Sequence, residues 1–158
     1  MQYAKDSFYM ALRGRLAEVN PARTVTVEGV VRPAVVVAEN EGSLLGLENV
    51  FVLRWGDAAF VGNGTKLMKV MCTIAYATSG VTNSNNDRGR LLGTLDGELM
   101  VSLLPPRTVK TDYTQIPPQS LGTMLFWTDL EFAAPKDEAG KISRSATTTV
   151  YFYSEVEQ

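Results

Sequence analysis

Phe8, Leu12, Leu16 and Val19 recur at spacings of four, four and three. That spacing stacks them on one helical face and predicts a first helix from Asp6 to Glu18. Asp6 or Ser7 is expected to cap its start by accepting a backbone N–H. Asn20-Pro21 should stop it, because proline disfavours a helical residue before it. Arg13 and Arg15 straddle Gly14 and are expected to face solvent or a partner.

The period then changes to two. Thr24-Val25-Thr26-Val27-Glu28 alternates and is β-branched, which predicts a strand. After Gly29 and Pro33, the run Ala34–Ala38 reads as a buried strand, ended by Glu39-Asn40-Glu41-Gly42. A short strand is expected at Phe51–Trp55, followed by Gly56-Asp57 and a Gly62-Asn63-Gly64 turn. Lys66–Thr78 is the clearest strand. It sets Met68, Val70, Cys72, Ile74 and Tyr76 on one face, with Lys69, Met71 and Thr73 on the other.

The polar loop 79–87 leads to a second helix capped by Asp87 or an Asn before it. Leu91, Leu92, Leu95, Leu99 and Leu103 form its apolar stripe. Gly93 and Gly97 lie off that stripe, and a pair spaced by four could admit a close neighbour. Pro105-Pro106 ends the helix. Residues 105–120 then read as a long connection carrying Pro105, Pro106, Pro117 and Pro118.

The last third predicts a long hairpin. Residues 122–133 place Met124, Phe126, Leu130 and Phe132 on one face and Trp127, Asp129 and Glu131 on the other, which reads as a solvated or interface face. A charged tip spans 135–141. The return strand 142–153 turns Ala146, Thr148, Val150 and Phe152 to one side and Thr147, Thr149, Tyr151 and Tyr153 to the other. The whole is expected to be a single α+β domain, 1–158. Its antiparallel or mixed sheet has about four main strands packed against two helices.

Composition narrows the function. The 158 residues are 45% hydrophobic and 20% charged, as in a globular domain. With 15 Lys+Arg against 17 Asp+Glu, the chain lacks the basic excess of a non-specific nucleic-acid binder. It has no histidine, which removes Ser-His-Asp and Cys-His catalysis and His-ligated metal sites. The one cysteine, Cys72, is expected to be a small core residue. No apolar run of membrane-spanning length occurs, and Met1–Asp6 does not read as a secretory signal. Gly62–Lys66 lacks the full spacing of a phosphate loop and leads into a strand. The carboxylates Asp129 and Glu131, or Asp137 and Glu138, fit solvated surfaces better than a tuned acid–base pair. These features favour a binding or structural protein over an enzyme, with no cofactor, metal or membrane expected.

Function is therefore expected at loops longer than their turns require: 79–87, 105–120 and 135–141. Candidate contact residues are Asn83 and Asn85 in the first, Arg107, Lys110 and Tyr113 in the second, and Lys136 and Asp137 in the third. Tyr and Arg are frequent interface anchors.

The layout resembles the tail terminator, or tail-completion, proteins of long-tailed bacteriophages. The resemblance rests on the opening helix Asp6–Glu18, the segment Arg32-Pro33-Ala34-Val35-Val36-Val37-Ala38-Glu39-Asn40, and the long strand Leu67–Tyr76. To these it adds the polar loop, the helix opening at Asp87-Arg88 and the alternating last strand Thr147–Tyr153. It implies a virion protein without chemistry, a homohexameric ring seated on the last ring of the tail tube. Such a ring stops tube polymerisation and presents a surface to a neck or head-completion protein. Its partners would be other copies of itself, the tube protein and the neck. The alternatives are another head–tail connector or tube-like phage protein, or a non-viral soluble adaptor domain.

Overall fold

The computed structural model describes residues 1–39, 46–80, 87–138 and 140–155. Two helices, α1 (Gln2–Val19) and α2 (Asp87–Ser102), pack on one face of a mixed sheet. The fold class is α+β, as the two periodicities predict.

The sheet follows the order β3-β4-β5-β10-β7-β6. Its strands are β3 (Val35–Val37), β4 (Phe51–Phe60), β5 (Leu67–Thr78), β6 (Arg107–Asp112), β7 (Gln119–Trp127) and β10 (Lys141–Tyr153). Two short strands, β8 (Glu131–Phe132) and β9 (Lys136–Glu138), also pair with β10. β3 runs parallel to β4, and every other pairing is antiparallel. A separate two-stranded ribbon joins β1 (Thr24–Val27) to β2 (Val30–Pro33). Glu28 and Gly29 both take positive φ, 51° and 79°, as a two-residue hairpin turn of matching twist requires.

β5 and β10 pair along their full length, from Ile142↔Thr78 to Tyr153↔Leu67. The predicted faces hold there: Val70, Cys72, Ile74 and Tyr76 on β5, and Ala146, Thr148, Val150 and Phe152 on β10, are buried beneath the helices. From the helices come Phe8, Leu12 and Leu16, and Leu92, Leu95 and Leu99. Phe8 stands edge-on to two indoles, Trp55 of β4 at 5.6 Å and Trp127 of β7 at 5.1 Å.

Several expectations are corrected. Helix α1 starts at Gln2, with Met1 as its uncapped N-cap, so neither Asp6 nor Ser7 caps it. Ser7 lies inside the helix, where its hydroxyl back-bonds to the Tyr3 carbonyl at 2.6 Å. Val19 is exposed. Strand β4 does not stop at Trp55; a bulge between Trp55 and Ala58 absorbs one extra residue and the strand runs on to Phe60. The segment 24–33 forms the separate ribbon and is not part of the main sheet.

The proline-rich connection contains strand β6, antiparallel to β7. Consequently β7 is a partner of both β6 and β10. It meets β10 only at Val150↔Trp127 and Tyr151↔Phe126 before the chain leaves the strand at Thr128. The long hairpin is thus three successive short strands, β7, β8 and β9, laid along one continuous β10. The faces of β7 are reversed from the expectation: Leu125 and Trp127 are buried, whereas Met124 and Phe126 are exposed. The break at 128–130 shifts the alternation, so Phe132, on the far side of it, still packs against the core.

Candidate assembly interface

Helices cover one face of the sheet and leave the other open. On the open face, Met71 of β5 sits opposite Thr149 of β10, and Tyr151 of β10 opposite Phe126 of β7. The Tyr151 and Phe126 rings stack, with centroids 5.4 Å apart and planes 8° from parallel. Val109 of β6 pairs with Met124 and extends the apolar surface towards the edge. Met71, Val109, Met124 and Phe126 are all exposed. Gly56, in the β4 bulge, lies against Met71: a Cβ there would stand 3.1 Å from the Met71 methyl group. Lys69 opposite Tyr151 and Arg107 opposite Phe126 place charges on the same face as these apolar side chains.

The β6–β7 hairpin reaches beyond this face. Residues 113–122 are exposed without interruption, and Ile116 is 99% accessible. The turn is built locally. Asp112 accepts the Thr114 hydroxyl at 2.6 Å and the Thr114 N–H at 2.8 Å. Those two donors hold the Asp112 carboxyl below its usual range. Pro117 and Pro118 restrict the backbone that follows.

The predicted contact residues divide. Tyr113 is 37% exposed on the hairpin, and Arg107 is exposed at its base. Lys110 is corrected: it is only 4% exposed, and its ammonium donates to the Tyr153 carbonyl at 2.9 Å. That places it on the inner side of β6, tying the hairpin to the end of β10. Lys136 and Asp137 are exposed in β9, and Asp137 accepts from Arg88 at 3.2 Å. Asn83 and Asn85 lie outside the described residues. Arg15, expected to face outward, turns onto the sheet edge and stacks over Trp127 at 5.4 Å. Gly93 and Gly97 face open space within the chain.

Met124, Phe126 and Ile116 are the contact candidates that the sequence reading missed. Alternation by itself sets Met124 and Phe126 on the face opposite Trp127 without saying which face is open. Ile116 carried a signal, since an isoleucine followed by Pro-Pro has no place in a paired strand interior.

The buried polar groups serve the fold. The Tyr76 hydroxyl donates to Asp96, and Arg144 holds the other oxygen of that carboxylate at 2.6 Å. Burial and then the Asp96 hydrogen bond push the Tyr76 phenol upward. Glu98 accepts from Arg23 at 2.5 Å and 2.9 Å and from Asn20 at 2.7 Å. Burial favours its neutral form, but these donors outweigh burial and its pKa is lowered. Both clusters tie α2 to neighbouring elements. Among the described residues, no three Cys, Asp or Glu side chains converge as a metal site. Among the same residues, no helix is long and apolar enough to cross a membrane.

No protein-family model matches this chain, and no curated protein matches it.

Proposed function

We propose that this protein is a ring-forming structural subunit of a virion, of the tail terminator kind. It would cap the end of a phage tail tube, stop polymerisation and join the tail to the neck or head. The observation that carries the reading is the open sheet face, where exposed Met71, Met124 and Phe126 and the stacked Tyr151 lie beside an outreaching hairpin, with Lys69 and Arg107 on the same face. A cap on a repeating stack needs such broad, loop-edged surfaces and no deep pocket. A ring also needs two different patches per subunit, because a heterologous contact closes a ring only when it joins unlike surfaces. The layout of helix, long strand, helix and alternating last strand supports the same reading by its resemblance to that family.

Imaging of tails assembled with and without the protein tests this. Tubes of defined length that overrun when the protein is omitted, and that fail to join heads, are the expected result. Tails of normal length and normal head attachment in its absence would overturn the reading.

A further inference from the structure

We propose that the tip of the β6–β7 hairpin of one copy seats in an apolar groove of the next copy, with Ile116 as the inserted side chain. The groove has a volume of about 240 Å³ and lies where the end of α2 meets β7 and β8. Met100, Leu104, Pro106, Trp127, Leu130 and Phe132 line it. Met100 and Leu104 are exposed there, with nothing among the described residues to cover them.

Tip and groove belong to opposite ends of the same hairpin. Pro106 and Trp127 mark the groove end, where the Pro106 carbonyl accepts the Trp127 N–H at 3.0 Å. The tip begins past Asp112↔Gln119, the last pair of the ladder. The six residues of β6, at roughly 3.3 Å each, separate the two ends by about 20 Å. A chain therefore cannot fold its own tip into its own groove without dismantling β6. Between copies, a knob at one end and a hole at the other give a head-to-tail contact, which propagates until it closes.

The tip suits insertion. Its turn is held by Asp112 and Thr114 and stiffened by two prolines, so seating it costs little ordering entropy. The size of the contact selects a second copy in a closed ring over an isolated pair. The exposed stretch 113–122 has 10 residues, and the groove is lined by a similar number. A stable pairwise interface engages roughly 20–30 residues a side. One tip–groove contact is about a third to a half of that, so an open dimer would be weak. In a ring every chain gives one tip and receives another, and the two contacts reinforce each other.

The proposal rests on the ring reading for its biological setting, and the following experiment separates the two. Association of the purified chain is followed by sedimentation at increasing concentration, for the wild type, Ile116→Asp and Leu104→Asp. In parallel, a variant carrying Ile116→Cys and Leu104→Cys is oxidised, with the buried Cys72 left in place. The expected result is weak association beyond the dimer for the wild type, reduced on the order of tenfold or more in each single variant, with unchanged thermal midpoints. The double-cysteine chain should give a ladder of disulfide-linked species longer than the dimer, since each chain gives and receives once. Wild-type oligomers that persist unchanged in Ile116→Asp would overturn the tip–groove contact while leaving the ring reading standing. A wild type that stays monomeric, together with no ladder, also overturns the contact, and tail-length imaging then decides the ring reading on its own.

Discussion

The guanidinium of Arg15 donates to the Arg107 carbonyl at 2.7 Å, and so helix α1 closes the outer edge of strand β6. A second nitrogen of the same group donates to the Pro105 carbonyl, also at 2.7 Å. Farther along, Ser7 accepts the Thr111 N–H at 2.9 Å. On its other flank α1 reaches β3 at the opposite edge, where the Tyr9 hydroxyl donates to the Val35 carbonyl at 3.2 Å. One helix thus bonds to strands at both ends of the sheet order. Exposed edge strands invite pairing with other chains. Here α1 side chains occupy backbone groups on both edges.

Arg15→Ala should therefore loosen β6 specifically. It removes two charge-assisted hydrogen bonds and the stacking over Trp127, for a loss of about 1.5–3 kcal/mol. Denaturant midpoints report the loss. Amide exchange should accelerate in β6 more than in β5; uniform acceleration would argue against an edge role.

Phe8→Ala should be far more severe. The ring is fully buried between Trp55 and Trp127. Large-to-small changes of this kind cost about 3–5 kcal/mol, a large part of the roughly 5–15 kcal/mol that holds a typical domain. Thermal unfolding should show a pronounced drop in midpoint. A shift of only a degree or two would mean that the two indoles close the gap themselves.

Glu98 should give stability an acid-sensitive component. Its folded pKa is lowered, so its contribution is present above the unfolded carboxyl value, near 4.3, and fades as pH falls from there through the folded value. Glu98→Gln forfeits that component. The gap between wild type and variant in urea midpoint should be widest near neutral pH and narrow at about pH 3. A gap independent of pH would show that charge on Glu98 is not what Arg23 and Asn20 stabilise.

Cys72 should resist thiol reagents in the native protein and react only after unfolding. It is fully buried, and burial pushes its thiol pKa well above the ordinary range. Titration with a chromogenic disulfide before and after addition of denaturant measures both states. Rapid native labelling would place β5 in frequent local opening.

Phe126→Ser should separate assembly from folding. The ring is 45% exposed and stacks on Tyr151, so its removal costs folding only about 0.5–1.5 kcal/mol from the pair. If the open face is a contact surface, particle assembly should fall much further than the modest change in Tm suggests. Intact assembly would move the interface away from this face.

What the sequence determined by itself was whatever one element's own periodicity decides. The stripe Phe8, Leu12 and Leu16 and the alternations of β5 and β10 each report a single burial direction over many residues, and the structure keeps them. The burial of Cys72 followed from that alternation. So did the placement of Tyr151 on the open face.

Tertiary structure alone decided where one element's environment depends on another's. β6 is held by backbone hydrogen bonds to β7, which any side chains except proline permit, so Pro105-Pro106 before it and Pro117-Pro118 across the turn disguised it as a loop. β7 breaks at Thr128, and a one-residue change in alternation exchanges faces. That is why Phe126 lies outside and Trp127 inside. Lys110 and Arg15 look like surface cations in isolation. Each reaches a carbonyl that only the assembled sheet brings near, Tyr153 for Lys110 and Arg107 for Arg15. Long-range hydrogen bonding of this kind has no period along the chain, so it becomes visible only when helix and strands are assembled.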